Sequence, residues 1–174
     1  MKLSRWYFPA FVPIVCLLFV FCGVLPQVFV PQKDVNSLRV ASEVAEKNVL
    51  IASRKSDFKE AIVTALIDSL NPERVVVQVT GIKDLAKFPA GEFDAVVVLN
   101  TCMGWSMDRK VKSYLDRSGE VGHILVVTTS GDGAWMPSEK DREYDAIASA
   151  SEKTRIEPVT SRILQRVREQ LKAE

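Results

Sequence analysis

The amino-acid sequence predicts a three-layer α/β sandwich with a five-stranded parallel sheet, preceded by one transmembrane helix. Two observations predict the sandwich. Short apolar runs of strand length alternate with stretches of helical periodicity, and two of these runs are apolar almost throughout, as is typical of parallel strands buried on both faces. A third observation predicts the membrane helix: no charged residue lies between Trp6 and Gln32, and Phe11–Val30 is almost wholly apolar. A helix of that length spans a bilayer core of about 30 Å.

The N-terminal segment, residues 1–33, is therefore expected to be an uncleaved membrane anchor, with a cleaved signal peptide as the alternative. A signal peptide would have a shorter apolar core and small residues at its cleavage site, whereas Cys22-Gly23 is the only small pair here. Lys2 and Arg5 precede the apolar run, and the nearly balanced Lys33-Asp34 follows it. The positive-inside rule then favours a cytoplasmic N-terminus and an extracytoplasmic domain.

Five strands are predicted from the apolar runs. Phe93–Leu99 is the strongest of them, and Gln78 interrupts another, which is typical of an edge strand. Because helical or connecting stretches separate the strands, we expect a parallel sheet with right-handed crossovers. The predicted strands are Val49–Ala52, Arg74–Val79, Phe93–Leu99, His123–Thr129 and Asp145–Ala148.

Helices are predicted between these strands and before them. A linker helix is expected over residues 34–47, and the domain then occupies residues 48–174. Its first helix would begin at the capping box of Asp57 and Glu60 and stop at Asn71-Pro72. The remaining predictions are at most two turns over Ile82–Phe88, a helix capped by Ser106 that ends at Gly119, about one turn around Ser138–Glu143, and a closing helix from Pro158.

Charge and cysteine content disfavour several classes of function. Of the 23 lysines and arginines, three precede residue 34, which leaves 20 against 22 acidic residues, whereas a nucleic-acid binder would show a basic field. Cys102 is the domain's only cysteine, so neither a disulfide within the domain nor a zinc set is expected. His123, the only histidine, lies at the entry of a strand, and no serine occupies a Gly-x-Ser-x-Gly elbow. Hydrolases and metalloenzymes are therefore disfavoured.

Four loops follow the carboxyl ends of predicted strands, where ligands bind in an open parallel sheet. All four are rich in small and polar residues, and two contain a tryptophan. These loops are Ser53–Ser56, Asn100–Trp105, Ser130–Met136 and Ser149–Lys153.

The order of elements, the hydroxyl-bearing loop after the first strand, and the runs Phe93–Leu99 and Ile124–Gly131 resemble the flavodoxin-like family over roughly residues 48–172. In that family the loop after the first strand holds the phosphate of FMN, and the loops after the third and fourth strands flank the flavin ring. The resemblance implies binding of FMN or a related phosphorylated ligand and electron transfer near the membrane. By position, it implies ligand contacts from Ser53, Arg54, Lys55, Ser56, Thr101, Trp105, Gly131 and Trp135.

The same residues have a second interpretation. The loop Ser53–Asp57 lacks the glycine and threonines of the family's phosphate loop, so its hydroxyls would only cap a helix and its cations would face solvent. Trp105 would then pack in the core, and Cys102 would be a small core residue rather than a redox thiol. The small residues of Asp145–Ser151 would admit either a ligand or a neighbouring loop. The alternative function is a degenerate flavodoxin-like module without cofactor that acts as a binding or assembly partner at the membrane.

Overall fold

The structure, a computed structural model, describes residues 32–41, 45–119, 121–138 and 143–172. The predicted transmembrane segment lies outside these residues, so the anchor stays a prediction. Among the described residues, no helix combines the length and apolar character needed to cross a membrane.

A six-stranded sheet lies at the centre of the domain, and five of its strands are parallel. From one edge to the other, the six strands, numbered along the chain, lie in the order 1-3-2-4-5-6. The five parallel strands therefore have a doubly wound order, in which the second parallel strand of the chain lies on the outer side of the first. The predicted α/β sandwich and its five parallel strands are confirmed, and a sixth strand is added. The strands are β1 (Leu38–Val40), β2 (Lys47–Ser53), β3 (Val75–Gly81), β4 (Ala95–Thr101), β5 (Ile124–Ser130) and β6 (Asp145–Ala150).

The added strand, β1, corrects the prediction of a linker helix over residues 34–47. Leu38–Val40 pairs antiparallel with Val77–Val79 at the outer side of β3. The prediction of a helix was wrong here because it weighed the local apolar spacing alone, whereas the unpaired edge of β3 offers backbone hydrogen bonds that a short extended segment satisfies. β3 is therefore the outermost parallel strand but not the edge strand that Gln78 predicted, since β1 covers it. The Gln78 side chain also donates to the Leu38 carbonyl at 3.3 Å.

The parallel strands end later than predicted. β2 to β6 continue through Ser53, Gly81, Thr101, Ser130 and Ala150. The prediction ended each strand where the apolar run ended, yet the small and polar residues that follow remain in the ladder, as in the pairs of Ser53 with Gly81 and Asn100 with Thr128. The hydroxyls at the carboxyl edge are therefore held by sheet backbone rather than by loops.

Three α-helices flank the sheet: α1 (Asp57–Leu70), α2 (Arg109–Leu115) and α3 (Ile156–Leu171). The predicted caps of α1 and α2 are displaced by one and two residues. Ser56 is the N-cap of α1, since its Oγ accepts from the Lys59 N–H at 3.3 Å, and Asp108 caps α2 in the same way. The stretch Ile82–Phe88, predicted as at most two helical turns, contains a 3₁₀ turn at Leu85–Lys87, and a second 3₁₀ turn follows it at Ala90–Glu92.

The core lies in two layers because the central strands are apolar on both faces. One face of the sheet packs against α1 and α3, which contribute residues such as Ile62 and Ile163. The other face packs against α2 and the 3₁₀ turns, with Val111 and Leu85 among its members. Side chains alternate between faces along a strand, so Thr101 at the end of β4 lies on the α1 side and Asn100 on the α2 side.

Candidate functional site

A groove follows the carboxyl edge of the sheet, where β2 lies between β3 and β4 and the direction of winding reverses. It consists of three adjoining parts. The α1 cleft, of about 750 Å³, lies between the start of α1 and Thr101, and the tryptophan pocket, of about 500 Å³, lies between Trp105 and Trp135. The third part, of about 360 Å³, shares Thr101 with the cleft and Gly131 with the pocket. The groove is therefore continuous, and it lies where doubly wound sheets bind ligands.

Seven of the eight residues that the resemblance selected line this groove. Arg54, Lys55, Ser56 and Thr101 line the α1 cleft, Trp105 and Trp135 line the tryptophan pocket, and Gly131 lines that pocket and the third part. Ser53 alone of the eight does not line the groove. Ser53 is fully buried and its hydroxyl donates to the Arg54 carbonyl at 2.8 Å, so it closes its own turn.

Arg54 is held by two carboxylates. Its Nη1 donates to Asp34 Oδ1 at 3.0 Å, and its Nη2 and Nε donate to Asp108 Oδ2 at 2.7 and 3.2 Å. All three side chains are at most one-fifth exposed. Arg54 therefore fastens the loop after β2 to both sides of the crevice, and its charge is already compensated.

Asp108, the second of these two carboxylates, is positioned by Asn100 near the end of β4. Buried Asn100 donates to the Thr128 hydroxyl at 3.2 Å and accepts from the Asp108 N–H at 3.1 Å. This contact orients the start of α2 on the sheet, and the Asp108 side chain then reaches Arg54. The buried Asn100 amide at the end of β4 thus positions the ion pair between Asp108 and Arg54.

An N-terminal strap, Gln32–Val35, lies along the rim of the groove. The Lys55 N–H donates to the Lys33 carbonyl at 2.7 Å, and the Gln32 side chain donates to Met103 Sδ at 2.6 Å. Asp34 lies so close to Gly81 that a Cβ there would approach the Asp34 Cβ to 2.5 Å. The strap therefore spans from β3 to the loop after β4 and packs tightly against both.

Lys59, which the sequence reasoning missed, lies at the floor of the α1 cleft. It occupies the first turn of α1, is 2% exposed, and its Nζ donates to Thr101 Oγ1. Burial, and then the neighbouring Arg54 cation, lower its pKa from 10.5 to about 7, while the Asp108 carboxylate acts in the opposite direction. The signal was present: Lys59 lies three residues before Ile62, on the stripe of α1 that faces the core.

The two tryptophans differ in backbone conformation and in exposure. Gly104 and Trp105 both adopt left-handed backbone angles, with φ of 59° and 53°, at the tip of a turn closed by Met103 and Ser106. A bulky residue in that conformation is strained. Trp105 is nevertheless 83% exposed, so the interpretation of this residue as core packing is wrong. Trp135 is half-buried in the loop after β5.

Three further candidates have structural explanations. Burial raises the pKa of the Cys102 thiol, which disfavours a reactive thiolate. The His123 Nε2 lies 3.0 Å from the Ala90 carbonyl, near the start of β5 and away from the groove. The small residues of β6 admit a neighbouring loop, since a Cβ on Gly133 would lie 2.3 Å from the Ala150 nitrogen.

Comparison with solved structures agrees with this topology. A flavodoxin from the domain Archaea superposes with a TM-score of 0.51 at 16% identity, and the match covers 71% of this chain and 98% of that one. The fold is flavodoxin-like. The flavoenzyme NAD(P)H:acceptor oxidoreductase FerB from Paracoccus denitrificans (TM-score 0.44, 13% identity, 70% and 96% covered) and a flavo di-iron protein variant from Thermotoga maritima (0.44, 17%, 76% and 37%) are also similar. No protein-family model and no curated protein matches the chain.

Proposed function

We propose that the protein binds FMN or a related phosphorylated flavin in the carboxyl-edge groove and serves electron transfer near a membrane. One observation carries this proposal: a cleft at the start of α1 joins, without interruption, a pocket flanked by two tryptophans. Each part is within the size range of small-molecule sites, roughly 300–1,000 Å³. The flavodoxin-like fold supports the same location.

The groups that line the groove suit such a ligand, although they differ from those of a glycine-rich phosphate loop. Trp105 and Trp135 offer aromatic surface for a ring. The α1 cleft offers cations, and in the described part of the chain the N–H groups of Asp57 and Phe58 at the start of α1 have no hydrogen-bond partner. Arg54 would act indirectly, by holding the loop in place. A bound flavin would supply the redox chemistry, and the chain would supply binding and orientation.

The membrane anchor belongs to the same proposal. The apolar run Phe11–Val30 ends two residues before Gln32, and Gln32 lines the α1 cleft. An anchor formed by that run would therefore bring the groove, rather than the opposite end of the sheet, close to the bilayer. A reporter fused after Glu174 would test the extracytoplasmic location that the flanking charges favour.

Flavin titration tests the proposal directly. The full-length protein in detergent micelles is titrated against FMN, and the quenching of flavin fluorescence is recorded. We expect saturable quenching at micromolar concentrations. A colourless protein that leaves FMN fluorescence unchanged at these concentrations would refute the proposal.

A second candidate function is a module without cofactor that binds a protein partner. The strained and exposed Trp105 favours it, because exposed aromatic side chains are frequent anchors in protein interfaces. This alternative predicts that neither FMN nor riboflavin binds. It also predicts that a photoreactive residue at position 105 crosslinks to a partner in native membranes, and that one at exposed position 117 does not.

A further inference from the structure

Lys59 combines burial with access to the cleft. It is 2% exposed, yet it lines the α1 cleft together with Ser56 and Thr101. Its Nζ reaches across the end of the sheet to the Thr101 hydroxyl. A hydroxyl satisfies one donor of an ammonium group and leaves its charge uncompensated.

No carboxylate of the described residues forms an ion pair with Lys59. The carboxylates of Asp34 and Asp108 are instead paired with Arg54, at 3.0 and 2.7 Å. Arg54 itself repels a second cation, and of the surrounding carboxylates only Asp108 supports the charged amine. The charged groups that face Lys59 are Lys33 and Asp34 from the strap, Arg54 and Lys55 from the loop after β2, Asp57 and Glu60 from α1, and Asp108 from the start of α2.

We propose that Lys59 is the anion receptor of the α1 cleft and that the site is linked to protons, so that a phosphate monoester binds together with a proton on the Lys59 amine. An anion in the cleft would supply the counter-charge that no carboxylate of the described residues gives Lys59 in an ion pair. It would therefore stabilise the ammonium form of the amine. The reaction is a simple association: the neutral amine takes up one proton from solvent, and no covalent bond is formed or broken.

The amine is suited to this coupling because its pKa, lowered by burial, lies near neutral pH in the free protein. At alkaline pH, binding must be accompanied by protonation, so affinity falls as pH rises. At pH 6 the amine is already charged and no proton is taken up. The identity of the ligand as a flavin rests on the proposed function, whereas the anion-receptor role can be tested without a flavin.

Sulfate is the first probe, because it remains a dianion throughout the range from pH 6 to pH 9. Binding is measured calorimetrically on the full-length protein in two buffers that differ in ionisation enthalpy. For the wild type we expect the dissociation constant to rise roughly twentyfold between pH 7.5 and pH 9, with close to one proton taken up at pH 9. Lys59→Met should lose this dependence, and Lys55→Met should retain it, because Lys55 is exposed and paired with Glu60 at 3.5 Å. Affinity for sulfate that is independent of pH in the wild type would overturn the proposal, whether or not Lys59→Met folds.

A second comparison identifies the source of the anion. FMN and riboflavin share a ring and differ by the phosphate. If FMN is the ligand, Lys59→Met should weaken FMN binding at least tenfold and leave riboflavin binding unchanged. Equal losses for both flavins would overturn the role of Lys59 as an anion receptor while preserving flavin binding. If neither flavin binds but sulfate binds with the expected proton uptake, the proposed function is refuted and the anion receptor stands.

Discussion

Lys59→Met should make the stability of the protein less dependent on pH. Methionine keeps the unbranched length of lysine and removes the charge from a side chain that is 2% exposed. The variant also removes the Nζ donor of Thr101, which costs about 1 kcal/mol at every pH. The pH-dependent part of the difference therefore reports the buried charge alone.

The magnitude follows from the pKa of the amine. Its fall from 10.5 to about 7 on folding corresponds to roughly 5 kcal/mol of destabilisation when the amine is fully charged. The unfolded chain holds this proton up to about pH 10.5, whereas the folded chain releases it near pH 7. Between these values the unfolded state binds more protons, so the free energy of unfolding of the wild type rises by up to about 1.4 kcal/mol per pH unit.

Urea unfolding at pH 6, 7 and 9.5 measures this difference. We expect Lys59→Met to be more stable than the wild type at pH 6, and the wild type to gain about 3 kcal/mol on the variant between pH 7 and pH 9.5. Lys55→Met, a substitution of an exposed lysine in the loop before α1, should follow the wild-type profile. Parallel profiles for Lys59→Met and the wild type would show that the lysine keeps an ordinary pKa, and the reasoning would fail.

Three further substitutions test the rest of the groove. Arg54→Ala should destabilise the fold by about 2–3 kcal/mol in urea unfolding because two partly buried carboxylates lose their partner, and a neutral result would mean that these ion pairs are weak. Trp135→Ala should weaken flavin binding more than the control His123→Ala, and equal effects in fluorescence titration would remove Trp135 from the site. Gly133→Ala should lower stability by more than about 2 kcal/mol and Gly119→Ala by about 1 kcal/mol, since both have positive φ but only Gly133 lacks space for a Cβ; thermal unfolding that ranks them the other way would contradict this.

The sequence predicted the parallel part of the fold because burial on both faces leaves a direct pattern in the chain. Phe93–Leu99 and His123–Thr129 are apolar runs without alternation, and both form central strands. β1 escaped prediction because three residues carry too little periodicity, and its conformation depends on the free edge of β3. Pairing with a distant segment decides such strands.

The candidate site was predictable in position but not in chemistry. The sequence placed Trp105 and Trp135 in loops of the same edge, and the structure brings them to one pocket. It did not indicate that Arg54 is held by two carboxylates, since Asp34 and Asp108 lie 20 and 54 residues away. Lys59 was missed because helix prediction tolerates a charged residue on an apolar stripe, and only the packed structure shows that this one is enclosed.

The N-terminal strap determines where residues 1–31 join the described domain, because Gln32 lies at the α1 cleft. The two residue steps from Val30 to Gln32 can span at most about 7 Å, whereas the seven-residue strands of the sheet are about 23 Å long. The strap itself is fixed to the groove by its contacts with Lys55 and Gly81. A surface that holds the N-terminal segment would therefore lie near the α1 cleft, which Gln32 lines.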